Sequence, residues 1–189
     1  AMMNAYDMDL GKIAYVGKQG VLCLLSESVY SENIGHTSPN HKLIENFKKT
    51  IKNTEGRIMF MVLPTHLYTI EEIFKAAENS HRKIIIMGKR LQNMINFSIK
   101  ENYLKVDNVS LGDLSNVNDN NAILLICDDK ASPYAAMSKI YNGYDKFIKL
   151  KSNDTIVFAE PRYDSNEKVL VKLENELSEL GCEIVNIPS

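Results

Sequence analysis

The sequence predicts an α/β fold, a mostly parallel sheet covered by helices in a Rossmann-like three-layer arrangement. Short apolar runs alternate with helical patterns along the whole 189-residue chain, and this alternation is typical of parallel strands joined by crossover helices. Several runs, such as Ile84-Ile85-Ile86, are continuously apolar, which indicates strands buried on both faces. The length fits a single domain, residues 1–189, with one continuous core.

Six apolar runs are the predicted strands: Val21–Ser26, Arg57–Leu63, Lys83–Met87, Ala122–Cys127, Thr155–Ala159 and Cys182–Ile187. Helical patterns predict helices at Lys42–Lys52, Tyr68–Asn79, Arg90–Glu101, Pro133–Tyr141 and Asn166–Leu180, with a shorter one at Asp9–Val16. Thr69 is the expected N-cap of the helix predicted at Tyr68–Asn79. Gly181 is the residue expected to end the helix predicted at Asn166–Leu180. Residues 102–121 form the least regular segment and are expected to wrap the surface.

Composition limits the possible functions. Hydrophobic residues make up 44% and charged residues 24% of the chain, and the net charge is −2. Any nucleic-acid contact must therefore use a local basic patch or another part of the molecule. No apolar run approaches the roughly 20 residues of a membrane span, and no signal-peptide pattern is present, so we expect a cytoplasmic protein. Three widely spaced cysteines in apolar runs are expected to be reduced core thiols: Cys23, Cys127 and Cys182.

Familiar catalytic motifs are missing from the sequence. The four histidines lack the close spacing that grips a catalytic metal, so we expect no metal bound by this chain alone. No glycine-rich phosphate loop follows a strand, and no serine sits in a Gly-x-Ser-x-Gly turn. Because ligands of a parallel sheet bind at the loops that follow the strands, any site is expected in those loops.

Two such loops carry candidate residues. In Gly88-Lys89-Arg90, two cations follow a predicted strand and precede a helix, where they could meet a phosphate; a solvated surface pair is the alternative. Glu27-Ser28 directly follows the first predicted strand, where a carboxylate could orient a histidine on a neighbouring element. A carboxylate that only caps a helix or turn is the alternative for Glu27.

The order of several short motifs resembles one known family. Gly20-Val21-Leu22-Cys23-Leu24-Leu25-Ser26-Glu27-Ser28 is similar to the stretch that ends in Leu-Leu-Ser-Asp-Ser-Thr-Asn in ribonuclease J. The similarity continues in Gly56-Arg57-Ile58, Ala76-Ala77, Asn142-Gly143, Asp154-Thr155-Ile156-Val157-Phe158 and Gly181-Cys182-Glu183-Ile184-Val185. The chain thus resembles a β-CASP domain of the ribonuclease J type over essentially its whole length.

The resemblance implies an insert in a metallo-β-lactamase fold, with RNA in the cleft between the two domains. It implies two zinc ions held by the lactamase domain outside this chain, where they activate water for phosphodiester cleavage. Glu27 matches the family's first acidic motif and would orient a zinc-ligating histidine. The RNA-facing candidates are Ser28, Thr65, His66, Lys89 and Arg90. Expected partners are RNA, bound weakly through this domain alone, the lactamase domain, and a second copy or a ribonuclease J relative in an oligomer.

Departures from the family cluster in the loops. Where ribonuclease J has Ala-Ser-Asn-Ile-His-Arg, this chain has Pro64-Thr65-His66-Leu67-Tyr68-Thr69, which lacks the His-Arg pair. Its Thr-Gly-Ser-Gln-Gly-Glu-Pro motif becomes Cys127-Asp128-Asp129-Lys130-Ala131-Ser132-Pro133, and the aspartates would repel a phosphate. A catalytically degenerate paralogue that serves as a non-enzymatic partner or scaffold is therefore the alternative. An unrelated doubly wound enzyme that binds a nucleotide or flavin remains a third reading.

Overall fold

The computed structural model describes residues 40–63, 66–127, 133–159 and 167–186. These residues form a six-stranded sheet in which every neighbouring pair of strands is parallel. The strands are β1 (Ile58–Met61), β2 (Lys83–Met87), β3 (Ser110–Leu111), β4 (Ile123–Ile126), β5 (Thr155–Phe158) and β6 (Glu183–Asn186). Their order across the sheet is β3-β2-β4-β1-β5-β6, so β1, the first described strand, lies inside the sheet and not at its edge.

Five helices and one short 3-10 helix connect the strands. The helices are α1 (Asn40–Asn53), α2 (Leu67–Ala77), α3 (Lys89–Lys100), α4 (Pro133–Tyr141) and α5 (Glu167–Glu179), and the 3-10 helix is Leu114–Asn116. Side chains alternate between the faces of each strand, and two separate buried clusters result. One cluster joins α1, α2 and α3 to the front face, and the other joins α4 and α5 to the back face. The fold is therefore a three-layer α/β sandwich, as the sequence predicts.

The central strands are buried on both faces. All four residues of β1, β4 and β5 are buried, which is why their sequences are continuously apolar rather than alternating. Phe60 of β1 meets Phe47 of α1 edge to face, with ring centroids 5.3 Å apart. Cys127 and Cys182 are buried in the core and are not joined in a disulfide bond, which agrees with their prediction as reduced core residues.

One prediction about local structure is wrong, and a second is incomplete. Thr69 is not the N-cap of α2, because the helix begins at Leu67 and His66 occupies the N-cap position without a side-chain cap. Thr69 lies inside the first turn and is 9% exposed. Residues 102–121 also contain more regular structure than expected, namely β3 and the 3-10 helix, which Asp113 caps. The predicted helix Asp9–Val16, the predicted strand Val21–Ser26 and Cys23 lie outside the described residues.

The first described helix begins, and the last strand ends, at the same edge of the sheet. Thr54, just after α1, accepts a hydrogen bond from Arg82, which precedes β2, so α1 ends where the parallel strands begin. Since Phe47 packs on Phe60, farther along β1, α1 runs back along the sheet and begins at the other edge, where the strands end. The last strand, β6, ends at Asn186 on that same edge. We call it the carboxyl edge, and the opposite one the amino edge.

Candidate functional site

The carboxyl edge has the topology of a ligand-binding crevice. The helices that follow β1 and β2 pack on the front face, whereas those that follow β4 and β5 pack on the back face. In the order β2-β4-β1-β5, neighbouring strands therefore send their connections to opposite sides. Such switch points open a crevice beyond the strand ends, where α/β proteins bind ligands. This crevice lies at the edge where the sequence predicts the site.

The basic turn, Gly88-Lys89-Arg90, lies at this edge between β2 and α3. Gly88 has φ of 96°, and a Cβ atom there would come within 2.6 Å of the Cys127 carbonyl oxygen. Only glycine meets both conditions without strain, so the turn packs directly on the end of β4. Lys89 is exposed and Arg90 half-buried, and both lie at the start of α3, where the helix dipole favours anions.

His66 is the second described candidate on this edge. It is half-buried at the N-cap position of α2, just beyond β1. Because β4 lies between β1 and β2, roughly 10 Å of sheet separates the ends of the strands that carry His66 and the basic turn. The structure thus brings three predicted RNA-facing residues to one edge: His66, Lys89 and Arg90. Glu27, Ser28 and Thr65 lie outside the described residues, as do Asp128 and Asp129.

A half-buried phenol and a buried carboxylate lie on α2, shortly after His66 in the chain. Tyr68 and Glu72 are one helical turn apart, and the side chain of Glu72 is 3% exposed. Burial raises the pKa of Tyr68, and the negative charge of Glu72 raises it further. Burial also raises the pKa of Glu72, while Lys75, 4.0 Å away, partly opposes that shift. At the position where the resemblance places a His-Arg pair, this chain has the phenol of Tyr68 beside a buried acid, and the buried Thr69.

Glu72 is a buried acid that was not predicted from the sequence. With Thr69 as N-cap the helix would begin at Ile70, but α2 begins three residues earlier, at Leu67. The spacing of Tyr68, Glu72 and Ala76 on one helical face, together with Ile73 and Phe74, contains the missing signal, because residues four apart share a face. Eight of the eleven residues of α2 are buried, so this helix leaves little solvent-facing surface for a glutamate.

The amino edge holds the most buried charges of the described chain. Arg57 and Asp154 are both fully buried and form a two-pronged ion pair, Nε to Oδ1 at 2.9 Å and Nη2 to Oδ2 at 2.6 Å. Arg57 also donates to the carbonyl oxygens of Val117 and Lys149. Asp154 accepts a further bond from the Lys151 amide. Because all these donors and acceptors are matched, the pair fixes the loops before β1, β4 and β5 and has no group left for a ligand.

Within the described ranges, no three His, Cys, Asp or Glu side chains come together as a metal site. In that same part of the chain, no helix combines the length and hydropathy of a membrane span. The described residues therefore contribute cations, a histidine and a cavity to the carboxyl edge, but no metal centre.

The fold and this edge define a parallel α/β domain with a ligand crevice beyond its strand ends. The family described as "Ribonuclease J, beta-CASP domain" matches residues 55–177, and the chain belongs to that family. Ribonuclease J of Synechocystis is 31% identical over 94% of this chain. Ribonuclease J 1 of Streptococcus pyogenes and ribonuclease J2 of Bacillus subtilis are 27% and 26% identical over the same share. The chain spans 28% to 32% of the length of these three relatives.

Proposed function

We propose that this chain is the β-CASP domain of a ribonuclease J-like nuclease with a metallo-β-lactamase fold. In this role it covers and guides RNA over a dinuclear zinc site that belongs to another domain of the same cytoplasmic protein. The zinc ions would supply activated water for hydrolysis. The residues of this chain would orient a ligand of that site and hold the RNA backbone, without binding metal themselves.

The observation that carries the proposal is the position of the candidate residues in a chain that belongs to the ribonuclease J β-CASP family. The basic turn and His66 both lie at the carboxyl edge of the sheet, where parallel α/β domains bind ligands. RNA held at this edge would pass Lys89 and Arg90.

Glu27 is the proposed link to the zinc site. A carboxylate that accepts the second ring N–H of a metal-bound histidine fixes that ring's tautomer and orientation. The support for this role is the resemblance of Gly20–Ser28 to the family stretch whose acidic motif Glu27 matches. Loss of such a carboxylate typically lowers metal affinity or activity by about 10- to 100-fold.

The experiment uses the whole protein, with the regions that flank this chain. Ribonuclease activity and zinc content are measured for the wild type and for Glu27→Gln, with the exposed Glu45→Gln on α1 as control. The proposal expects zinc-dependent cleavage that falls about 10- to 100-fold in Glu27→Gln only. Equal activity in both variants would contradict the role of Glu27, and absence of cleavage by a zinc-loaded wild type would contradict the nuclease.

One observation favours a second function, that of a degenerate paralogue acting as a non-enzymatic partner subunit. Thr69 and Tyr68 offer no cation where ribonuclease J has its His-Arg pair, and the buried Glu72 lies beside them. In that case the flanking lactamase domain would lack His-x-His-x-Asp-His. The protein would then leave RNA uncut alone and change the rate of an active ribonuclease J relative when mixed with it.

A further inference from the structure

A cavity of about 190 Å³ lies between α4 and the carboxyl ends of β2 and β4. Its surface is mainly apolar, with Met87, Ile126, Ile140 and Ile148 among the lining residues. Ligand pockets usually measure roughly 300–1,000 Å³, so this cavity fits a single ring system rather than a whole nucleotide.

The described residues cover the end of β2 only partly on the back face. There, α4 packs against β1 and β4, and β2 contacts the 3-10 helix. Ile85 is 2% exposed, but Met87, one pleat farther along β2, is only half-buried. Within the described ranges, the end of β2 thus forms an apolar floor next to the carboxyl edge.

Two charged residues give the cavity a polar rim, Lys139 on α4 and Asp145 in the loop after it. The Oδ1 atom of Asp145 accepts hydrogen bonds from the amide N–H groups of Phe147 and Ile148, both at 2.8 Å. These bonds fix the carboxylate, and its Oδ2 atom takes part in neither of them. The rim thus pairs an anchored acceptor with an ammonium donor.

Guanine matches this rim better than the other RNA bases do. Its adjacent N1–H and N2–H₂ donors can both point to the Oδ2 atom of Asp145, while O6 and N7 can accept from an ammonium group such as that of Lys139. Its flat faces suit the floor of methionine and isoleucine side chains. A phosphate group is the wrong occupant, because the carboxylate of Asp145 would repel it.

The position of Gly88 connects the cavity to the basic turn. Gly88 lines the cavity and directly precedes Lys89, so a strand whose phosphate meets the turn has the cavity one residue away. We infer that this cavity is a slot for one guanine base of single-stranded RNA whose backbone passes Gly88-Lys89-Arg90. The inference rests on the proposed function, since it assumes that RNA reaches this edge.

Methyl NMR on the 189-residue chain tests the slot. The probes are a uridine hexamer with one internal guanosine, the all-uridine hexamer, and guanosine 5′-monophosphate. We expect the guanosine hexamer to shift the methyl signals of Met87, Ile140 and Ile148 and to bind about tenfold more tightly than the all-uridine hexamer. Guanosine 5′-monophosphate should bind more weakly than the guanosine hexamer, because it lacks the neighbouring phosphates.

Two variants separate the slot from the turn. Asp145→Asn keeps an oxygen for the loop bonds but replaces the second acceptor by a donor, so the tenfold preference for guanosine should vanish. Ala136→Phe fills the cavity and should abolish the methyl shifts, while the unperturbed signals elsewhere report that the chain is folded. An unchanged preference in Asp145→Asn would overturn the slot.

The remaining outcomes distinguish the slot from the proposed function. If both hexamers bind through Lys89 and Arg90 while the methyl signals stay unmoved, the slot is wrong and the proposed function stands. If guanosine 5′-monophosphate binds as tightly as the guanosine hexamer, the ligand is a free nucleotide and the RNA slot is wrong. If neither hexamer binds, both the slot and the RNA-guiding role fail.

Discussion

The two edges of the sheet differ in the burial of their charged side chains. At the amino edge, Arg57 and Asp154 are fully buried and use their polar atoms on each other and on neighbouring backbone groups. At the carboxyl edge, Lys89 is exposed and Arg90 half-buried, on a turn held in place by a glycine. The first arrangement stabilises the fold, and the second leaves charge accessible to a ligand. Burial, rather than charge alone, distinguishes the paired charges of the amino edge from the accessible charges of the carboxyl edge.

The largest expected effect comes from breaking the amino-edge pair. Asp154→Ala leaves the guanidinium of Arg57 buried without its counter-ion, and the loss of one partner of a buried pair costs about 3–5 kcal/mol. Urea unfolding followed by circular dichroism measures the free energy of unfolding. Glu176→Ala is the control, because it breaks the exposed pair with Lys172, 3.9 Å apart, which is worth about 0.5 kcal/mol or less. A loss below about 1 kcal/mol in Asp154→Ala would show that the pair is not structural.

The next effect concerns the glycine of the carboxyl edge. Gly88→Ala forces a side chain into positive φ and toward the Cys127 carbonyl oxygen, 2.6 Å from the new Cβ, and should cost about 2–3 kcal/mol. Gly143 also has positive φ, 78°, but a Cβ there meets nothing within 4 Å. Gly143→Ala should therefore cost only about 1 kcal/mol, from backbone strain. Equal thermal shifts for the two variants would mean that the close packing of the turn on β4 does not matter.

A smaller effect separates Glu72 from the exposed acids. Because burial raises its pKa in the folded state, the folded protein holds this proton to higher pH than the unfolded chain does. Stability should therefore fall as pH rises above about 4.3, the ordinary carboxyl pKa, until the folded-state pKa is passed. Glu72→Gln should remove this fall and gain on the order of 1 kcal/mol at neutral pH. Unfolding curves from pH 4 to pH 8 measure it, with Glu45→Gln as the surface control; parallel pH profiles for all three proteins would refute the effect.

The sequence predicts those parts of the fold that have local signals. Continuous apolar runs such as Ile123–Ile126 predict buried parallel strands, and α4 spans the residues predicted for it. Strand β3 has only two residues, both exposed, which is too short for any periodic pattern. The predicted start of α2 is wrong. Thr69 is a residue type that often caps helices, but here it lies inside the first turn and is buried. Tertiary packing decides that helix start, not local propensity.

In the candidate site, too, only the features with a local sequence signal could be predicted. The basic turn was predicted because Gly88, Lys89 and Arg90 are consecutive and follow an evident strand. The pair of Arg57 and Asp154 was missed, although both residues belong to the motifs that carry the family resemblance, because 97 positions separate them. The cavity beside α4 was missed for a similar reason. It depends on how the described elements pack around the end of β2, and no single stretch of sequence encodes that packing.

The most direct test of the central claim measures single-stranded RNA binding by two charge-matched double variants. Lys89→Ala with Arg90→Ala removes two cations from the carboxyl edge, whereas Lys52→Ala with Lys100→Ala removes two exposed cations from the helix ends nearer the amino edge. We predict weak, salt-dependent binding by the wild type. The first variant should bind RNA roughly tenfold more weakly. The slope of log K against log salt concentration should become shallower by about 1.4, or about 0.7 for each lost phosphate contact. The second variant should match the wild type in both measurements. Equal losses in both variants, or sub-micromolar salt-resistant binding that survives the first, would contradict the assignment of RNA to the carboxyl edge.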